Sequence, residues 1–441
     1  MFARNTQALS VLPVLLLLGG VSTQCLTGND SPAMMNPSSK KALTDARYNF
    51  ALDTMKKAAT LEQQGNIFFS PHSIYQALSL AYFGARGTTE EALRKALNIP
   101  HDLSKVDVQR YYSFEKSLRQ LSSQKNETPD YELASANRLW ITDKRKVREC
   151  MLDLFGDQLE KTDFQTDPNA VRERINDWVS NMTKGNIRDI LPPNSIQENT
   201  DLVLANAVYF KGFWQSQFDP AESKKDLFYS SASQNSMVTF MHQKGVFNYM
   251  ISETLGAHIL ELPYKGDDIS MVVMLPPFAT ARAVNGADGD GMRQLIERMS
   301  TADGASELRE ILSNGMDPRE VEIYLPRFEI EMDLPMGPFL RALGVGELMT
   351  PGASDLRGFL QDGESPLHLG DAVHRARIEV TEEGTTAAAA TALFTFRSGR
   401  PLQLAVFNAN HPFMYFIYNK SMKTVLFNGI YRVPPPPKSQ A

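Results

Sequence analysis

The chain reads as an α+β protein of two closely packed subdomains, and three observations support that class. Segments with apolar residues at helical spacing are mixed with segments that alternate as antiparallel strands do. The chain has 441 residues and 42% hydrophobic content, enough for one large or two ordinary domains with a sizeable core. It contains no internal repeat. The net charge of −6 gives no electrostatic case for nucleic-acid binding, and the short basic run Lys144-Arg145-Lys146 reads as a solvated face.

Residues 1–24 have the form of a secretory signal. Arg4 supplies the positive start, Leu9 to Leu18 form an apolar run broken by Pro13, and the small residues around Gly20 to Thr23 offer a cleavage site. No apolar run reaches the ~18 residues needed to span a bilayer, so the mature protein is expected to be secreted, soluble and free of membrane. Residues 25–44, rich in Ser, Asn, Pro and Lys, read as a flexible tail. Cys25 falls in that tail. Cys150, within the helical pattern Val147 to Leu154, reads as a small buried hydrophobe; a bridge between the two is open to the chain but unsupported by the sequence. Asn-x-Ser/Thr triplets mark Asn29, Asn126, Asn181 and Asn419 as glycosylation candidates; Asn181, in a helical pattern with Trp178, reads as occluded.

Phe50, Leu52, Met55 and Ala59 keep helical spacing. Ile67 to Phe69 form a short apolar strand, after which Ser70 can cap a helix and Pro71 suits its first turn. That helix continues through Ala77, Leu78, Ala81 and Tyr82 until Gly84. Further helices are expected from Thr89 to Leu97, Asp107 to Gln124 and Val171 to Leu191. Leu133 to Ile141 alternates as a strand. Leu202 to Trp214 reads as a central strand with Asn206 among apolar neighbours; a buried amide needs partners, which predicts a polar cluster under the sheet. More strands follow between Met237 and Leu275, and on both sides of Pro326. Residues 281–316 read as a surface insertion with a short helix at Met292 to Met299. Asp288-Gly289-Asp290-Gly291 lacks the spaced ligands of a calcium loop, so no metal is expected. The run Pro434 to Pro437 should be extended and exposed.

Glu382-Glu383-Gly384-Thr385-Thr386-Ala387-Ala388-Ala389-Ala390-Thr391 is locally ambiguous. The alanines favour helix and the threonines favour strand. With period two, Thr385, Ala387, Ala389, Thr391, Leu393 and Thr395 share one face, so the segment suits an exposed loop as well as a buried strand. Gly-x-Ser-x-Gly, His-Glu-x-x-His and Gly-x-x-x-x-Gly-Lys-Ser/Thr are absent, and the seven histidines lack ligand spacing. His374 reads as a satisfied core histidine. An enzyme is not expected, and neither is a cofactor.

Asp371 to Ala376, then Ile378-Glu379-Val380 and the Glu-Glu-Gly-Thr-Thr-Ala run, resemble the hinge of the serpin family. Phe407-Asn408-Ala409-Asn410-His411-Pro412-Phe413 resembles the strand that follows a serpin's reactive loop. The block Asn66 to Thr89 and the run Ala136 to Trp140 also resemble the family, and the likeness extends from about Tyr48 to Val433. The resemblance implies about eight or nine helices around three mostly antiparallel β-sheets, with an exposed reactive-centre loop over residues 382–406 and a serpin domain over residues 45–433. It implies that the helix containing Trp178 crosses the face of the main sheet. It implies that Asn206, His374 and Ser73, with Ser70 close by, govern sheet opening, and that Arg327 and Glu382, with Trp214 nearby, guard its upper end.

The resemblance also implies a mechanism: a suicide inhibitor whose loop is cut by a target serine protease, which is held as a covalent acyl-enzyme while the loop inserts into the sheet. A count from Gly384 places the reactive bond at Ser398-Gly399, whereas Arg397-Ser398 is the better trypsin-like site and is preferred. The pattern is most similar to secreted arthropod serpins that restrain melanisation and Toll-type cascades. The alternative is a non-inhibitory serpin acting as carrier, chaperone or storage protein. A monomer is expected. Glycosaminoglycan activation stays open, because Lys105, Arg110, Lys116 and Arg119 are interspersed with Asp107 and Glu115.

Overall fold

The computed structural model describes residues 25–26, 37–123, 131–278, 290–383 and 404–436. Helix α1 (Pro37–Leu61) buries Leu43, Phe50 and Met55, and leads into strand β1 (Ile67–Phe69). Helix α2 (Pro71–Gly84) starts where the sequence predicts: Ser70 is the cap, its hydroxyl accepting from the Ser73 amide, with Pro71 in the first turn. Helices α3 (Gly87–Ala96) and α4 (Lys105–Ser123) precede strand β2 (Tyr131–Thr142), helix α5 (Glu149–Phe155) and strand β3 (Leu159–Thr162). Helix α6 (Pro168–Met182) is capped by Asp167, whose carboxylate accepts from the Ala170 amide. The central strand β4 (Leu202–Gly212) follows.

Strands β5 (Lys224–Tyr229), β6 (Asn235–Ser252), β7 (Ala257–Pro263) and β8 (Ile269–Leu275) come next. Helices α7 (Gly291–Met299) and α8 (Ala302–Asn314) lead to β9 (Pro318–Pro326), β10 (Phe328–Leu334) and α9 (Met336–Ala342). The chain closes with β11 (Asp371–Val380), β12 (Ala405–Asn408), β13 (Phe413–Asn419) and β14 (Thr424–Tyr431). Nine α-helices thus stand among the described residues.

Where the resemblance implies three sheets, hydrogen bonds join the described strands into two. The reason is β6. Its early residues pair with β5 and β9 and its last residues with β7, so one unbroken strand fuses two sheets into a nine-stranded one. The five-stranded sheet runs β10-β11-β4-β2-β3. Its inner face packs against the nine-stranded sheet through Val208, Phe210, Ala376 and Ile378. Its outer face is covered by α6: Val171, Ile175 and Val179 pack with Ala134, Ala136, Ala205 and Tyr209.

Three local expectations are corrected. Residues 37–44 are helical rather than a loose tail, and Leu43 is buried. Cys25 and Cys150 form a disulfide with Cα atoms 5.9 Å apart, which no local pattern could announce across a separation of 125 residues. Residues 290–316 are not a surface insertion: α7 and α8 place Met292, Leu295, Met299, Leu308 and Ile311 in the main core. Residues 281–289 lie outside the described part. No described helix is long and apolar enough to cross a membrane.

Candidate functional site: the central seam of the five-stranded sheet

Strands β4 and β11 lie side by side and parallel, in register from Val203 opposite Asp371 to Lys211 opposite Glu379. The other strands of this sheet pair antiparallel, except β3 at the far edge. Parallel ladders are slightly weaker per residue, so this seam is a natural place for the sheet to part.

On the inner face the seam is tied by the polar cluster that Asn206 predicts. Asn206 and His374 are register partners. The imidazole Nδ1–H donates to Asn206 Oδ1, and Nε2 accepts from the Ser70 amide at 3.1 Å. The Asn206 amide nitrogen donates to Ser73 Oγ at 2.6 Å and to the Ser73 carbonyl at 3.2 Å. Ser70 Oγ donates to the Leu426 carbonyl at 2.6 Å. One network therefore joins α2, β4, β11 and β14. His374 is 1% exposed, and burial pushes its pKa down to about 3. It is a neutral core imidazole with both nitrogens bonded, so it has no free lone pair with which to act as a base.

The sequence reading missed Asn137. It lies directly across the β2–β4 ladder from Asn206, and both polar atoms of its amide are shielded from solvent without a bond to any described residue. The signal that exposed Asn206, an asparagine within an apolar strand, is present at Asn137 too.

The upper end of the seam is pinned by Glu382, which is 6% exposed. Its carboxylate accepts from Ser223 Oγ at 2.8 Å and pairs with Arg327 at 3.5 Å. Trp214 stacks on Tyr264 with ring centroids 4.5 Å apart, and its indole N–H donates to the Thr381 carbonyl at 2.8 Å. Ser223 and the Thr381 carbonyl were not legible in the sequence, because neither lies near its partner along the chain. Glu382 thus belongs to the pinned end rather than to an exposed loop, and Ala405 and Val406 already belong to β12. Of the hinge, Glu383 is also described; Gly384 to Thr391, and the residues Arg397, Ser398 and Gly399, lie outside the described residues.

Other expected sites distribute unevenly. Asn181 is exposed at the end of α6, not occluded. Asn419 is buried, and its side-chain oxygen accepts from the Met422 amide and Ser421 Oγ within a turn. Asn29 and Asn126 lie outside the described residues. Among the described side chains of α4, Lys105 is buried against Glu90 and the Ala85 carbonyl, Lys116 pairs with Asp157, and Glu115 holds the buried Arg47; the side chain of Arg119 lies outside the described part.

The profile of the family described as Serpin (serine protease inhibitor) matches residues 45–434. The chain belongs to the serpin family. This serpin is similar to Serine protease inhibitor 88Ea of Drosophila melanogaster, at 36% identity over 89% of this chain and 91% of that one. It is also similar to Antithrombin-III of Ovis aries, at 35% identity over 88% of this chain and 80% of the other. Among solved structures, uncleaved ovalbumin shares the fold with a TM-score of 0.74 at 28% identity, over 89% of this serpin and all (100%) of that chain. The family is described as one of serine protease inhibitors.

Proposed function

We propose that this serpin is a secreted, monomeric suicide-substrate inhibitor of an extracellular, trypsin-like serine protease. Residues 1–24 direct its export, and residues 384–403 present the bait. The observation that carries the reading is the closed parallel seam between β4 and β11, with the chain leaving the upper end of β11 directly into the bait segment. A strand that turned back down from that end would run antiparallel to β11. Because β4 is parallel to β11, it would be antiparallel to β4 as well. Insertion therefore exchanges one parallel ladder for two antiparallel ones, the better geometry. Thr385, Ala387 and Ala389 have side chains small enough to pass inward, and Gly384 supplies a backbone hinge.

In chemical terms, the protease's serine hydroxyl attacks the Arg397 carbonyl, the amine of Ser398 leaves, and an ester joins the two proteins. Insertion then carries the ester away from the loop's original position before water can cleave it. The similarity to Serine protease inhibitor 88Ea of Drosophila melanogaster supports inhibition of a serine protease. The resemblance to arthropod serpins alone extends this to restraint of a proteolytic immune cascade of the melanisation or Toll type. The test is incubation with trypsin-, elastase- and chymotrypsin-like enzymes, followed by denaturing gels. A covalent complex of summed mass is expected with the trypsin-like enzyme. Cleavage without any complex, across the whole panel, would favour a non-inhibitory carrier or storage serpin.

A further inference from the structure

Strand β1 stands at the end of the nine-stranded sheet and pairs with β14 along one edge. In an antiparallel pair, alternate residues turn their amides away from the partner strand. Phe68 and Ser70 are two residues apart, and both send their amides across the gap to the five-stranded sheet. Ser70 donates to His374 Nε2 on β11, at 3.1 Å. Phe68 donates to the thioether sulfur of Met332 on β10, at 3.2 Å. The open edge of β1 is thus stitched to the second sheet through two side-chain acceptors, a nitrogen and a sulfur.

The two stitches differ in what can break them. Phe68 is 0% exposed, and its ring stacks on Phe427 with centroids 5.1 Å apart, so water cannot replace the acceptor of its amide. Met332 packs against the core between the sheets but is itself half-buried, within reach of a small solute. A thioether is a weak acceptor and a soft, oxidisable centre at once. One lone pair of its sulfur is engaged by the Phe68 amide proton. The other is free to react.

We propose that Met332 is an oxidation-sensitive joint between the two sheets, released by a peroxide. The free lone pair attacks one oxygen of hydrogen peroxide. The O–O bond breaks, an S–O bond forms, and the second oxygen leaves as water after one proton shifts to it. Sulfur is oxidised to the sulfoxide and the peroxide is reduced. The sulfur then carries partial positive charge toward the Phe68 amide proton, while the new oxygen stands on the far side. A buried donor that has lost its acceptor destabilises the fold. The imidazole stitch is untouched, so β1 stays docked at Ser70 and loosens at Phe68.

The full-length protein, its disulfide intact, is titrated with hydrogen peroxide. At each step peptide mass spectrometry reports the oxidation of each methionine, and calorimetry reports the Tm. Met237 and Met182, 60% and 46% exposed, oxidise first and serve as standards. The Tm should fall by about 1–4 °C in step with sulfoxide at Met332, not with sulfoxide at Met237 or Met182. Met332→Leu lacks the acceptor from the start. It should melt about 1–4 °C below the parent and lose nothing further to peroxide. Met332→Gln offers Phe68 a carbonyl that peroxide does not oxidise. It should melt within about 1 °C of the parent and hold that value throughout the titration. A glutamine variant that falls as far as the parent, a fall that tracks Met237 or Met182, or a Met332 that stays a thioether in the folded protein would each overturn the proposal. If Met332→Leu does not fold, the glutamine variant decides the matter alone.

Discussion

His374→Gln isolates the inner tie through its dependence on pH. In the folded chain the imidazole is neutral, 1% exposed, and held by burial at a pKa of about 3. In the unfolded chain it titrates near ~6.5. Below that value the unfolded chain takes up a proton that the folded chain refuses. The sheet's stability is therefore complete above pH ~6.5 and falls as acid is added, down to the folded pKa, at up to ~1.4 kcal/mol per pH unit. Between pH ~5.5 and ~4 the loss attributable to this residue is ~2 kcal/mol. For a domain matched over residues 45–434, an unfolding entropy of ~2.1 cal/mol/K per residue converts that to a fall in Tm of about 2.5 °C.

Glutamine is neutral throughout and can replace only one of the two hydrogen bonds. It leaves either the Ser70 amide or the Asn206 carboxamide oxygen unpaired, at ~1–3 kcal/mol, so its Tm at pH 7.5 should lie about 1–4 °C below the parent. Because the variant lacks the proton-linked loss, the two curves should approach each other by about 2.5 °C between pH ~5.5 and ~4. Scanning calorimetry of both proteins at constant ionic strength reads this directly. Parallel curves, with a gap that does not change with pH, would show that His374 is not the neutral buried tie described here.

Cleavage of the loop should raise the melting temperature well above that of the intact protein; equal values would mean that no strand is added at the seam. Mass spectrometry of the small fragment released by a trypsin-like enzyme should find it beginning at Ser398, and a fragment beginning at Gly399 would move the reactive residue and change the target class. Thr385→Arg should convert inhibitor to substrate. An unpaired guanidinium at the first inward position of the inserting strand costs at least several kcal/mol, so insertion stalls and the ester hydrolyses. A denaturing gel should then show cleaved serpin in place of covalent complex, and trapping at the parental rate would refute the insertion mechanism.

Much of this molecule is determined by signals that act within a few residues. Ser70 followed by Pro71 starts α2, because the hydroxyl and the fixed φ serve the first turn whatever surrounds them. An asparagine within the apolar run of β4 announced a buried network, because an amide shielded from water must find partners. His374, flanked by alternating core residues, was legible as a core group for the same reason.

What tertiary structure decided is who those partners are. Cys150 is half-buried in a helix, and only the folding of the chain brings Cys25 to it. Lys105 has the sequence context of a surface lysine, yet it is buried because Glu90 and the Ala85 carbonyl come to meet it. Asn419 keeps its glycosylation motif but loses its exposure to a turn within its own hairpin. Arg375 and Arg377 alternate with core residues as any exposed positions of a strand would, and nothing local indicates that carbonyls of residues 188 and 186 lie above them. Capping, periodicity and turn chemistry are short-range and survive in the linear chain. The fate of a charge or a thiol depends on groups well beyond its local segment, 15 and 20 positions away for Lys105 and 125 for Cys25, and these meet it only once the core has closed around them.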